Sequence, residues 1–182
     1  MMRTLFLWIL LVGTAVAVAA CCGSVACDCD DSAADAITLR FEVDSLGQQY
    51  FPSDVDSVYI RRTPLRVAQQ QLKPDSVLLV RTRANAAQPI VINNAQPLAA
   101  NGTRKLNAYR YDLRLASKLP NKARPTLRKF PQYVLDSVSL RGNFQGDGCC
   151  TCYQNTRKVV FFNNATYDQT IAGQNGLVLR FK

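Results

Sequence analysis

The chain of 182 residues contains no histidine and a single glutamate, Glu42. Without histidine there is no Ser-His-Asp or Cys-His couple, no imidazole metal ligand and no imidazole pH switch. With one glutamate, a paired-carboxylate hydrolase would have to draw on two aspartates, or on one with Glu42, held about 5 to 10 Å apart in a cleft. No spacing in the sequence singles out such a pair. The only tryptophan, Trp8, lies in the apolar run that opens the chain, so the usual indole platform for a sugar ring is missing from everything after it. There is no G-x-G-x-x-G, no Gly-Lys-Ser/Thr phosphate loop and no zinc-peptidase helix signature. The expectation from these absences is a protein that is not an enzyme.

What is present begins with the opening run. Residues 1–3 carry one positive charge, and residues 5–20 are apolar and uncharged. That length suits the core of a secretory signal; a spanning helix needs about 20 residues. The run closes on Val18-Ala19-Ala20-Cys21. This tetrapeptide resembles the lipobox of bacterial lipoproteins, where a diacylglycerol is attached to the cysteine and the chain is cut just before it. The resemblance implies that residues 1–20 are a signal peptide, that Cys21 is the lipidated amino terminus and that the mature chain is held at a membrane. It further implies the outer membrane of a Gram-negative cell, because the residue after the lipidated one is Cys22 and not aspartate. Ala15-Val16-Ala17 and Ala17-Val18-Ala19 also fit ordinary signal-peptidase sites, so a soluble secreted product is the competing reading.

Removal of 20 residues leaves 162, enough for one domain with a real core, and no second apolar segment is long enough to span a bilayer. The chain has 22 basic and 13 acidic residues. Loss of Arg3 with the leader leaves 21 against 13, a formal charge of +8. Such a surface favours anionic neighbours, and solubility alone would also account for it. Residues 113–135 hold no acid, yet carry Lys118, Lys122, Arg124, Arg128 and Lys129 among Pro120, Pro125 and Pro131. They read as a long basic loop and a candidate surface for an anionic lipid, a glycan or an envelope protein. No nucleic-acid partner is expected of an exported chain.

Along the mature chain the apolar pattern has period two. Leu39, Phe41 and Val43 alternate with Arg40, Glu42 and Asp44, and Tyr109, Tyr111, Leu113 and Leu115 alternate with Arg110, Asp112 and Arg114. Leu177, Leu179 and Phe181 repeat the pattern at the end. Each is the signature of a half-buried strand. Further strand-like runs at 57–62, 76–83, 89–93, 133–141 and 157–163 bring the number to about eight, separated by Pro, Gly and Asn clusters. The predicted fold is all-β: a single antiparallel β-sandwich, immunoglobulin-like or related, over residues 36–182. Only residues 69–72 hint at helix. Asp-Ser-Val recurs at 56–58, 75–77 and 136–138, where Asp or Ser closes a turn and the aliphatic residues begin a strand. No D-x-D-x-D-G run gathers these aspartates into a calcium loop. Asn101-Gly102-Thr103 and Asn164-Ala165-Thr166 match the glycosylation sequon but read better as turns, and Asn101-Gly102 is a strong hairpin signal.

Seven cysteines fall in two clusters: Cys21, Cys22, Cys27 and Cys29, then Cys149, Cys150 and Cys152. With Cys21 acylated, six remain in a lipidated, cysteine-rich tether over 21–35 and a distant partner cluster. Six thiols allow 15 complete pairings. Cysteines adjacent or once-spaced on one strand are poorly placed to pair with each other, so at least one bond is expected between the clusters. Closing a loop of more than 100 residues contributes about 4 to 5 kcal/mol on the chain-entropy account. The alternative is a thiolate site for zinc or copper(I) built from both clusters, with Asp28, Asp30 and Asp31 nearby. Cys149 and Cys152 have C-x-x-C spacing, yet nothing around them reads as the strand-helix setting a redox motif needs. The functional expectation is a cell-envelope lipoprotein with a non-catalytic binding or structural role, or else a thiolate metal-binding lipoprotein.

Overall fold

The alternating residues of the sequence become the inner faces of two sheets. In β1 (Ile37–Phe41), Ile37, Leu39 and Phe41 are buried while Arg40 faces out. In β2 (Ser57–Pro64), Val58, Ile60 and Arg62 share the buried face. β3 (Asp75–Val80), β4 (Ile90–Ile92), β5 (Tyr109–Ser117), β6 (Thr126–Leu127), β7 (Tyr133–Asp147), β8 (Cys150–Phe162), β9 (Ala165–Asp168) and β10 (Leu177–Leu179) follow, with short 3-10 turns at Arg83–Asn85 and Leu106–Ala108. The computed structural model describes residues 34–43, 50, 54–65, 73–117, 126–127, 132–147, 150–171 and 176–180, with Trp8, Cys27 and Cys29. All eight predicted strand regions hold a strand, while β6 and β9 were not anticipated. The helical hint at 69–72 lies outside the described residues.

The larger sheet has the order β3-β2-β5-β7-β8-β9, with β6 beside β5, and the smaller has β10-β1-β4. The protein is therefore mostly β, in two sheets rich in antiparallel pairs. The expectation of a purely antiparallel arrangement needs correction, because β1 and β10 are parallel, Leu39 facing Leu177 and Phe41 facing Leu179. A parallel neighbour requires a long crossover, and here almost the whole chain intervenes. Alternation within each strand carries no information about the direction of its neighbour.

Both sheets supply one core: Leu39, Phe41, Ile92 and Leu179 from the smaller, Ile60, Leu113, Leu135 and Val160 from the larger. An aromatic cluster ties them together. Phe41 meets Tyr50 edge-on at 5.5 Å and Tyr133 at 5.9 Å, and Tyr133 stacks on Phe162 at 6.0 Å. The Tyr133 hydroxyl donates to the Arg180 carbonyl, so it accepts the proton of Tyr50. Gln169, buried at the exit of β9, accepts from the Thr38 amide at 2.9 Å and donates to the Thr38 carbonyl at 3.0 Å. Its amide thus stands in for a strand neighbour at β1. Gly176 passes so close that an added Cβ would lie 2.7 Å from the same Thr38 oxygen.

One buried charge caps the core. Arg62 donates through Nε to Asp75 Oδ1 at 2.9 Å and through Nη2 to Asp75 Oδ2 and to the Ala99 carbonyl at 3.0 Å, and it lies 4.5 Å over the Tyr109 ring. A bidentate carboxylate and an aromatic face are the partners that make a buried guanidinium tolerable.

β7 contains a local feature that sequence patterning missed. Asp136 is an extra residue between Leu135, opposite Phe162, and Ser137, opposite Phe161. This bulge switches the inward face, so that Val138 follows Leu135 into the core. The third Asp-Ser-Val is accordingly a bulge within β7, whereas the first two sit where β2 and β3 begin. Asn163 and Asn164, at φ 48° and 63°, make the two-residue turn between β8 and β9. Positive φ at both positions matches the twist of a hairpin, and Asn tolerates it. Asn101-Gly102 is a turn as well, with Gly102 at φ 59°, but it lies in the β4–β5 connection and joins no hairpin.

Candidate functional site

Beyond the second bulge, between Arg141 and Gly142, β7 and β8 continue past the core as a two-stranded ribbon. Residues 141–146 are all exposed, and Phe144 is 67% exposed, its ring edge-to-face with that of Tyr153 at 5.4 Å. A bare two-stranded ribbon is marginal in water. The cysteines supply what it lacks.

Cys27 is bonded to Cys150 and Cys29 to Cys152, with Cα separations of 5.4 and 5.3 Å. Each bond spans 123 residues. Equal offsets mean that the terminal segment and β8 run in the same direction there, with alternate residues joined. Cys150 and Cys152 share one face of β8, as period two requires. The expected bond between clusters is therefore present twice. Cys21, Cys22 and Cys149 lie outside the described residues, as do Lys118, Lys122, Arg124, Arg128 and Lys129.

Six residues after Cys29, Asp35 anchors the same segment electrostatically. Its carboxylate is 1% exposed and receives Lys105 Nζ at 2.7 Å, Asn94 Nδ2 at 2.9 Å and Asn155 Nδ2 at 2.8 Å. Burial alone would raise its pKa, but these hydrogen bonds and the Lys105 charge outweigh it and hold the carboxyl below the ordinary range. Lys105 also lies 3.7 Å over the Tyr153 ring of the ribbon. Lys158, buried at the ribbon base, donates to the Ala34 carbonyl at 3.3 Å. Burial pushes its pKa down, and the nearby Asp35 charge only partly restores it. The β4–β5 connection supplies a lysine and an amide to this one carboxylate, and β8 supplies a second amide and the nearby charge of Lys158. Sequence reasoning missed this cluster, since isolated Asp, Lys and Asn residues 59 to 123 positions from Asp35 leave no pattern to find.

Two other arrangements bear on chemistry. Asp112 and Asp136 each place a carboxylate oxygen 3.9 Å from Arg110 Nε, and hence within twice that distance of each other. They bracket a positive charge on the open outer face of the sheet, and Gln132 donates to Asp112 at 2.7 Å. That is an ion-pair network without an enclosing cleft among the described residues. A cleft of about 560 Å³ does open between the edges of β3 and β4, lined by Leu79, Val80, Ile90 and Val91. Arg81 closes its floor, donating through Nη2 to the carbonyls of Asn85, Ala86 and Gln88, and burial lowers its pKa. Among the described residues no three acids or cysteines gather in a metal-binding group. No known protein family matches the chain, and neither a curated protein nor a solved structure is found to be similar to it.

Proposed function

We propose that this chain is a cell-envelope lipoprotein, anchored through an acylated Cys21, with a non-catalytic binding or structural role. The observation that carries the reading is the pair of bonds Cys27–Cys150 and Cys29–Cys152. Disulfides persist in oxidising compartments outside the cytoplasm, which is where a leader ending in Val18-Ala19-Ala20-Cys21 would deliver the chain. A sulfur in a disulfide offers no thiolate, so the same bonds favour a covalent clip over a zinc or copper(I) site. The framework is a β-sandwich of the immunoglobulin-like or a related class, a reading supported by two sheets meeting in one core.

Cys27 is only six positions after Cys21, a reach of about 20 Å when fully extended. The stapled ribbon is then the part of the domain nearest the bilayer, in the outer membrane of a Gram-negative cell. The basic stretch from Lys118 to Lys129 would meet anionic lipid, glycan or an envelope protein. Intact-mass measurement of the membrane-extracted protein tests the anchor: the expected species begins at Cys21 and carries acyl chains, and Cys21→Ser moves the protein to the soluble fraction. An unmodified amino terminus at Cys21 or Cys22 would overturn the reading and leave the secreted form.

A further inference from the structure

β3 closes one side of the larger sheet, pairing with β2 alone among the described residues. The Arg81 amide donates to the Asp56 carbonyl at 2.6 Å, in line with the register that sets Ser57 against Val80 and Arg62 against Asp75. Backbone groups of successive residues in an antiparallel strand point alternately to and from the partner. Asp75, Val77, Leu79 and Arg81 therefore turn theirs to β2, and Ser76, Leu78 and Val80 turn theirs to the open side. Natural edge strands are blunted by shortness, charge, proline or bulges. β4 and β10 have three residues each, and β9 has four and ends on Asp168. β3 has six, and from Ser76 to Val80 it contains no charge, proline or glycine. Val80 is 57% exposed, and a cleft opens beside it.

We propose that β3 is the docking edge for a second copy of this chain, paired antiparallel about a two-fold axis through Leu78. The sequence is self-complementary in that register and no other. With Leu78 opposite its own counterpart, Ser76 faces Val80 of the second copy and every outward N–H and C=O finds a partner. Asp75 of each copy, half-exposed beyond its bond to Arg62, then stands opposite Arg81 of the other, whose charge is held in place by the carbonyls of Asn85, Ala86 and Gln88, so opposite charges flank both ends of the ladder. A one-residue slip aims outward groups at inward ones. A two-residue slip sets Arg81 against Lys73 or Val77 and leaves an outward residue unpaired. Val77 and Leu79, packed at the margin of the core, gain each other across the axis. The contact is isologous, so it closes at a dimer.

Single-cysteine trapping in the full, oxidised protein tests the register. Leu78→Cys lies on the axis, where a hydrogen-bonded antiparallel pair has Cα atoms about 5.5 Å apart, within disulfide range. Ser76→Cys alone, or Val80→Cys alone, would sit about 14 Å from its own copy. The expected result is a Leu78→Cys dimer on a non-reducing gel with the 78–78 peptide identified by mass spectrometry. Neither of the other variants should cross-link alone, and the two should cross-link when mixed. In sedimentation, Leu78→Lys should raise the dimer dissociation constant at least about tenfold, with circular dichroism reporting an unchanged fold and Val80→Lys serving as a second edge variant. A monomer at every concentration, equal trapping at 76 and 80, dimers indifferent to both lysines, or a β3 edge occupied by a different chain would each overturn the proposal.

Discussion

Asp35 Oδ2 lies 2.7 Å from Lys105 Nζ, and this pair sits where the terminal segment, the β4–β5 connection and the base of the β7–β8 ribbon meet. Asp35 is buried and Lys105 is part-exposed, so the carboxylate has most to lose when the contact is broken. The disulfides hold the segment covalently eight and six positions earlier, at Cys27 and Cys29, and Asp35 fixes how it enters β1.

Asp35→Asn is expected to destabilise the protein by about 3 kcal/mol, because it leaves Lys158 buried without an opposing charge. The pH dependence has a definite sign. The folded carboxyl titrates below its ordinary value of 3.8, so its stabilisation is complete above about pH 4 to 5 and is lost as pH falls through the depressed folded value. Urea unfolding of both proteins from pH 7 down to pH 3 should show the difference between them shrinking toward acid. A constant difference would mean that the carboxylate charge is not what stabilises.

The two disulfides should be strongly non-additive. Each closes a loop of 123 residues, worth about 4 to 5 kcal/mol on chain-entropy grounds. Once one is closed, the other constrains only the couple of residues between them. Cys27→Ser with Cys150→Ser, or Cys29→Ser with Cys152→Ser, is expected to cost about 1 kcal/mol, and the fourfold variant several times more. Denaturant titrations of the three proteins decide it.

Gln169→Ala should cost about 2 to 3 kcal/mol, out of proportion to the atoms removed, because it strands both backbone groups of Thr38. Gln169→Glu buries a carboxylate against the Thr38 carbonyl, so at neutral pH it should be no more stable than Gln169→Ala, and it should recover toward acid as the carboxyl gains the proton it needs to donate. Thermal unfolding of the pair separates a lost hydrogen bond from a lost side-chain volume.

Alkali should weaken the core through its tyrosines. Burial raises the pKa of Tyr133, Tyr50 and Tyr111 above the ordinary 10, and the Tyr50 hydroxyl beside Tyr133 raises the latter further. Raised folded values stabilise fully below pH 10 and lose that contribution as pH climbs toward them. Stability should fall above pH 10, and Tyr133→Phe should flatten the slope while lowering stability at neutral pH by about 1 to 2 kcal/mol. Absorbance titration at the phenolate band, run alongside unfolding, checks both.

How legible the fold was depended on how local its determinants are. Leu39, Phe41, Tyr111 and Leu113 announced their strands, because which side of a pleat a residue takes is settled by its immediate neighbours. The bulge at Asp136 was not legible, since an extra residue is tolerated only where the opposing strand and the core reward it. The turn announced by Asn164 was legible, but its placement on Asn163-Asn164 was not, because hairpin geometry selects which residues take the left-handed conformation. The candidate site divides in the same way. Clustered cysteines implied bonds between the two ends of the chain, but the choice of Cys150 for Cys27 is a matter of register.

By its sequence alone, this protein was determined to be an all-β chain with two separated cysteine clusters, no histidine chemistry and an apolar opening run that closes on Cys21. These follow from composition and from patterns that need no partner in space. Only the tertiary structure decided that β10 lies parallel to β1, that Asp35 collects Lys105, Asn94 and Asn155, and that β3 pairs with β2 alone among the described residues. Each of those is a relation between segments far apart in the chain, and it takes its energy from burial and hydrogen bonds that exist only once the sheets have met.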